Sequence, residues 1–333
     1  MGVHAGITAI AIGAALALAT AAQAQTAAAP AHPAWTPPQL PEELKAAMAK
    51  ADAGDIKPLE ALAAAGHADA EFYLGVALIF GRKDVPANGK RGCELVGKAS
   101  ITRPDAEFML GECYRLGLGG VTDPSKAAAA YTLAAGKGFG PAKCALGSMM
   151  LAEPPPKPAR GLQLCQESAN AGDAAAQLVL GDAYRQGKGA ERNPKEARRW
   201  YEMAAALKQP EAARKLGEMY AAGEGGKKDK KKAAELWRTA ESGGDPYASI
   251  LLADQMFLEI TDGKPPGPGR FKFRGGIPVG DIDTAIEWYK DAQKRDLRPE
   301  TQARAKMALY TLTSFKSAAS GVSAGAAAVP KKR

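Results

Sequence analysis

Histidine is almost missing: His4, His32 and His67 are the three in 333 residues, and at most His67 belongs to a folded part. A Ser-His or Cys-His dyad needs an imidazole inside the fold, so nucleophilic catalysis of that kind is nearly excluded. The four cysteines form no C-x-x-C and have no histidine at ligand spacing, which removes the usual donors of a zinc site. S-x-x-K and K-T-G are absent as well. One G-x-S-x-G occurs around Ser323, but that motif works as a strained strand-to-helix elbow, and here it lies in a low-complexity tail. Gly117-Leu118-Gly119-Gly120 follows a helical pattern instead of a strand, so it does not read as a phosphate-cradling loop. The expectation is a protein without catalytic residues, metal or cofactor.

Charge is lacking at the start. Residues 1–24 hold no Lys, Arg, Asp or Glu, and residues 7–19 form an apolar run followed by Ala22-Gln23-Ala24. That arrangement predicts a secretory signal peptide cleaved before Gln25. A retained anchor is the alternative, although the run falls short of the roughly 20 residues a membrane span needs. No cysteine precedes Cys93, which leaves no residue for an N-terminal lipid anchor. The expected location is the periplasm. Residues 25–40 are rich in Ala and Pro and read as a flexible leader, whose Trp35 either docks on the first helix or faces a partner. The net charge is +8, none of it carried by residues 1–24, and this balance favours acidic surfaces. Export argues against nucleic acid.

What the sequence has in abundance is repetition. Leu-Gly recurs at Leu74-Gly75, Leu110-Gly111, Leu146-Gly147, Leu180-Gly181 and Leu216-Gly217, then as Leu252-Ala253, in steps of 36, 36, 34, 36 and 36 residues. A fixed step of that size marks a stack of helix pairs. In residues 105–116, Ala106, Leu110, Cys113 and Tyr114 fall along one side of a helix. Gly111 in its middle costs roughly 1 kcal/mol against Ala, so its recurrence asks for close approach of a neighbouring helix. Gly117 and Gly119 end that helix, and Asp123-Pro124 opens the next with an N-cap and a first-turn proline. Two helices joined by so few residues lie antiparallel, and neither buries its stripe alone.

The pattern resembles the Sel1-like repeat family, whose units read A-x-A-x-x-x-L-G-x-x-Y-x-x-G-x-G-V and then D-x-x-K-A-x-x-W-Y-x-x-A-A. Residues 173–205 carry it most fully, with Ala174, Leu180-Gly181, Tyr184, Gly187, Gly189, Asn193, Lys195, Ala197, Trp200-Tyr201 and Ala204-Ala205. The resemblance covers roughly residues 57–256 and a second helix at 283–292. It implies an all-α, right-handed α/α solenoid of tetratricopeptide type that holds other proteins. Some exported relatives restrain the sensor domain of an envelope histidine kinase, so an envelope sensor or assembly is one form of partner.

Departures from the pattern divide the chain further. Residues 41–53 and 57–65 read as an incomplete first unit, and residues 82–89 replace a glycine turn. Pro154, Pro155, Pro156 and Pro158 make a stiff connector in the third unit. Residues 227–232 are a lysine-rich turn, either a solvated loop or a patch for anionic polymer or lipid. Residues 259–281, with Arg270, Phe271 and Phe273, read as an insertion on a binding edge. The repeat region then spans residues 41–315, with a capping helix over 299–315 and a disordered tail over 316–333.

Four cysteines in an oxidising compartment suggest bridges. The midpoint of Cys93 and Cys113 falls beside a turn at Pro104, and that of Cys144 and Cys165 falls in the proline turn. Antiparallel helices place such mirror positions side by side, so these are the expected pairs; the alternative is four small buried apolar residues. The position after the repeat glycine is acidic in four units, as Glu112, Asp182, Glu218 and Asp254, with Arg115 and Arg185 one turn later. These form either a partner-facing stripe in a groove or ordinary solvated helix surface. The functional expectation is a non-enzymatic scaffold or regulator that binds a protein. A binder of cell-wall polymer or anionic lipid is the second reading.

Overall fold

Apolar side chains at helical spacing, Asp or Asn N-caps and first-turn prolines recur along the chain, and helices form where they do. The computed structural model describes residues 36, 38–82, 84–152, 158–265, 273, 278–294 and 297–319. Among these the secondary structure is helical, apart from one antiparallel bridge between Arg82 and Val85. In order come α1 (Glu42–Asp52), α2 (Lys57–Ala64), α3 (Ala68–Phe80), α4 (Gly89–Ala99), α5 (Pro104–Leu116), α6 (Pro124–Gly136), α7 (Gly140–Ala152) and α8 (Pro158–Asn170). Then follow α9 (Ala174–Gln186), α10 (Pro194–Ala206), α11 (Pro210–Ala222), α12 (Lys230–Ser242), α13 (Ala248–Ile260), α14 (Val279–Lys294) and α15 (Pro299–Ala319). The described residues fall into two compact units, the first ending at Trp200 and the second starting at Tyr201.

In the first unit α3 pairs with α4, α5 with α6, and α7 with α8; in the second, α11 pairs with α12 and α13 with α14. Ahead of the first pair, Leu44 and Ala47 of α1 and Leu59 of α2 pack on Leu74 and Leu78 of α3. At the other end α15 covers α14 with Ala305, Ala308 and Leu312. That last helix runs four residues past the expected boundary at Phe315, and in that extension Lys316 pairs with Asp283 at 2.5 Å. Pro158, expected in the connector, is the first residue of α8, a position where a missing N–H costs nothing. Pro154, Pro155 and Pro156, like Trp35 and the expected signal, lie outside the described residues.

One backbone bond closes each of four turns. The N–H of the N-cap residue reaches back to a carbonyl near the end of the first helix: Asn88 to Leu78 (2.6 Å), Asp123 to Tyr114 (2.8 Å), Asn193 to Tyr184 (2.8 Å) and Asp229 to Tyr220 (2.9 Å). The N-cap side chain then accepts from the N–H three residues on, as Asp123 does from Lys126 and Asn88 from Arg91. Residues 82–89 lack the glycine pattern, yet Asn88 keeps both bonds. At the intact turns the first helix ends on a left-handed glycine, such as Gly117 at φ +66°.

The Leu-Gly glycine sets how closely a pair can pack. A β-carbon on Gly111 would stand 2.5 Å from Cε1 of Tyr131, and one on Gly217 would stand 2.5 Å from Nε1 of Trp237. Where the facing residue is smaller, Val96 or Cys165, a second glycine appears on the second helix and the backbones meet. A β-carbon on Gly92 would lie 2.7 Å from the Gly75 carbonyl, and one on Gly161 would lie 2.7 Å from the Gly147 carbonyl.

Disulfides join Cys93 to Cys113 and Cys144 to Cys165, the expected pairs. The first ties α4 to α5, which belong to successive pairs; the second ties α7 to α8 within one pair. A buried and a half-buried arginine also hold junctions between successive pairs. Arg103, 5% exposed, donates from Nη2 to Asp105 (2.6 Å), pairs with Asp69 of α3 and lies over the Phe72 ring at 4.7 Å. In the second unit Arg214 donates from Nε to Asp245 (3.0 Å) and lies 5.4 Å from the Tyr247 ring.

Candidate partner-binding surface

Two of the acids at this repeat position, Glu112 and Asp254, reach across their own helix pair. Glu112, buried between α5 and α6, accepts a short hydrogen bond from the Tyr131 hydroxyl and a charged one from Nη2 of Arg115 at 2.5 Å. Arg115 also donates from Nε to the Tyr131 oxygen at 3.2 Å, which closes a triangle. Burial, and next the Glu112 carboxylate, pushes the Tyr131 hydroxyl far above the ordinary tyrosine value, so it remains a donor. Asp254 in the second unit repeats the arrangement: the Tyr289 hydroxyl donates to it at 2.8 Å and Arg304 of α15 pairs with it at 2.8 Å. Burial raises the Asp254 carboxyl above its usual value, with Arg304 pulling the other way.

The remaining candidates vary in setting. Glu218 is half-buried and accepts from Nη1 of Arg214 at 2.6 Å. It belongs to the pair whose facing residue is Trp237, and the indole N–H is taken by the Arg214 carbonyl at 3.2 Å. Asp182 and Arg185 are both half-buried and both engaged. Phe273 packs on the core of the second unit, its ring stacked on Phe315 with centroids 3.6 Å apart and planes 9° apart. Arg270 and Phe271 lie outside the described residues. Accessible surface remains on the arginines: the Arg115 side chain is 35% exposed and that of Arg304 45%, although carboxylates hold both heads. For Glu112, solvated helix surface was one of two sequence expectations, and the buried carboxylate replaces it.

A signal for this was present in the sequence. An acid stands at this position where an aromatic residue faces it from the second helix, as with Glu112 and Tyr131, Glu218 and Trp237, or Asp254, which follows Ala253, and Tyr289. Where Val96 or Cys165 stands there, the residue after the glycine is Val76 or Ser148. Among the described residues no group of His, Cys, Asp or Glu is placed to hold a metal ion, and no helix is long and apolar enough to cross a membrane.

The Sel1 repeat model matches residues 68–100, 104–139, 174–208, 210–245 and 269–292. The α7–α8 pair, with no aromatic on its second helix, falls between the matched stretches. The fold is similar to that of a Sel1 repeat protein from Oxalobacter formigenes (TM-score 0.55, 22% identity, over 78% of this chain and 98% of that one). It is also similar to a protective antigen of uropathogenic Escherichia coli that displays an SLR fold (TM-score 0.52, 23% identity, over 80% of this chain and 57% of that one). At such identities the likeness concerns the fold. An uncharacterised protein of Neisseria meningitidis serogroup B is 36% identical over 111 residues, which are 33% of this chain and 23% of that protein's length. Sel1 repeat proteins are generally protein-interaction scaffolds. With its five matched repeats, its paired helices and these structural neighbours, the chain belongs to the Sel1-repeat family.

Proposed function

We propose that this protein is a non-enzymatic scaffold of the bacterial periplasm that holds another protein against its repeat surface. The observation that carries this reading is the Arg115 triangle: a guanidinium locked in place by a buried acid and a tyrosine, with its outer edge still accessible. An arginine fixed in advance loses little side-chain entropy on meeting a carboxylate and offers a planar fork to it. The acids Glu112 and Asp254 act from beneath, by aiming Arg115 and Arg304. Asp182 and Arg185 in the first unit and Glu218 in the second are further contacts, each within its own unit, and Arg270 and Phe271 of the insertion are candidates from the sequence alone. The partner presents acidic groups, in keeping with the net charge of +8. Two disulfides and the uncharged, apolar start of the chain support export through a signal peptide.

Affinity capture from an envelope extract tests the reading. Wild-type protein is run beside the double variant Arg115→Ala/Arg185→Ala and a chain whose residues 259–281 are replaced by a short Gly/Ser linker. A protein recovered by wild type and lost from the arginine variant supports the scaffold. Recovery of cell-wall polymer alone, stripped by salt, overturns it. Fractionation of cells expressing the full chain checks location, which is periplasmic if the reading holds.

A further inference from the structure

The turn between α11 and α12 carries five lysines in six residues, Lys227, Lys228, Lys230, Lys231 and Lys232 around Asp229, and the scaffold reading leaves them unused. All five are exposed. Asp229, whose carboxylate accepts from the Lys232 N–H at 2.9 Å as the N-cap, offsets one of the five charges and leaves the run net positive. Lys232 reaches Glu235 at 3.5 Å; among the described residues the other four make no ion pair.

These charges do not serve the fold. Lys230, Lys231 and Lys232 occupy the first turn of α12, where the positive end of the helix dipole disfavours cations, and no acid shares that turn. The turn that bears them is ordered. Glu224 N–H bonds the Met219 carbonyl at 2.9 Å and Asp229 N–H bonds the Tyr220 carbonyl at 2.9 Å, so the lysines project from a fixed platform. The α13–α14 connection lies at the same end of the second unit by the up-and-down order of the helices, and it adds the exposed Lys264.

The side chains restrict what such a surface recognises. Every charge in the run is a lysine, a hydrated point charge without the bidentate fork of arginine. The neighbours Ala222, Gly223, Gly225 and Gly226 offer no aromatic ring to stack on a sugar and no apolar wedge. An array of this kind responds to density of negative charge, not to the shape of one anion. We infer that this end of the second unit docks electrostatically on an anionic phospholipid bilayer. Laterally mobile headgroups can gather beneath lysines that form no groove, whereas a polymer strand needs a groove or a stacking platform.

Co-sedimentation of the full chain with phosphatidylcholine vesicles, with and without phosphatidylglycerol, tests this. The expected result is binding that depends on phosphatidylglycerol and is lost at high ionic strength. Each lysine replaced by glutamine lowers partitioning roughly fivefold, so Lys230→Gln/Lys231→Gln loses on the order of twenty-five-fold. Replacement of Lys45, Lys50 and Lys57 by glutamine, in the first unit, leaves binding intact. Removing first-turn lysines leaves the melting temperature unchanged or raises it, so loss of binding does not report unfolding. Converting all five lysines to arginine retains binding. Equal sedimentation with neutral vesicles, undiminished binding by the double glutamine variant, or binding to an anionic polysaccharide with none to vesicles overturns the inference.

Discussion

The α5–α6 and α7–α8 pairs share a register and a first-helix glycine, yet they close by different means. In α5–α6, Gly111 receives the Tyr131 ring, and the ring brings a hydroxyl that Glu112 and Arg115 must satisfy. In α7–α8 the facing residue is Cys165, a second glycine lets the backbones touch, and a disulfide takes the place of the polar bracket. The comparison teaches that facing residue, second glycine and following acid change together. Between these two pairs, the large ring goes with one glycine and an acid, and the small residue with two glycines and no acid.

Removing the bridges should cut deepest. Each closes a loop of about 20 residues, worth about 3 kcal/mol in the chain-entropy model. Cys144→Ser/Cys165→Ser should therefore lower the urea midpoint and leave the Cys93–Cys113 bridge to be titrated as a disulfide. Gly147→Ala comes next. Its β-carbon would meet the Gly161 carbonyl at 2.4 Å, and a backbone atom yields poorly, so a cost of about 3 kcal/mol is expected by chemical denaturation. Gly111→Ala meets a ring instead, which can shift, and about 2 kcal/mol is expected; equal costs for the two variants would undo the distinction. Tyr131→Phe should cost about 1 kcal/mol by the same measurement, since Glu112 keeps Arg115 but loses the hydroxyl.

The smallest effect concerns pH. Burial raises the folded-state Asp254 carboxyl above its unfolded value, so the folded protein binds more protons than the unfolded chain between the two. Stability from this group therefore rises as pH falls from above the raised value toward about 4, opposite to the usual acid loss. Denaturation midpoints of wild type and Asp254→Asn across that window should converge at the acid end. A difference that grows toward low pH would reverse the sign and the argument.

Much of this was legible in the residues. The Leu-Gly register placed the helices, the midpoints of the cysteine pairs gave both bridges, and the Asp-Pro and Asn-Pro starts marked the second helices. The acids were harder to read. Glu112 occupies an apolar-looking helix at a position that is exposed or buried according to a tyrosine 19 residues away, and no single-helix pattern reports that distance. Gly92 and Gly161 were missed for the same reason: each makes sense only against the glycine it meets on the other helix. Phe273, expected at an edge, packs on Phe315 of a helix 42 residues later in the chain, beyond the reach of any repeat pattern.

The two disulfides enclose loops of nearly equal length, separations of 20 and 21 residues, yet they govern different properties. In a stack where each helix pair feels its neighbours alone, melting behaves as a one-dimensional problem, with a well depth for each pair and a coupling between adjacent pairs. Cys144–Cys165 deepens one well. Cys93–Cys113 strengthens a coupling, so that α3–α4 and α5–α6 gain or lose order as one block. In the oxidised protein the first bridge therefore sets how far a local opening spreads, and the second sets how often one begins.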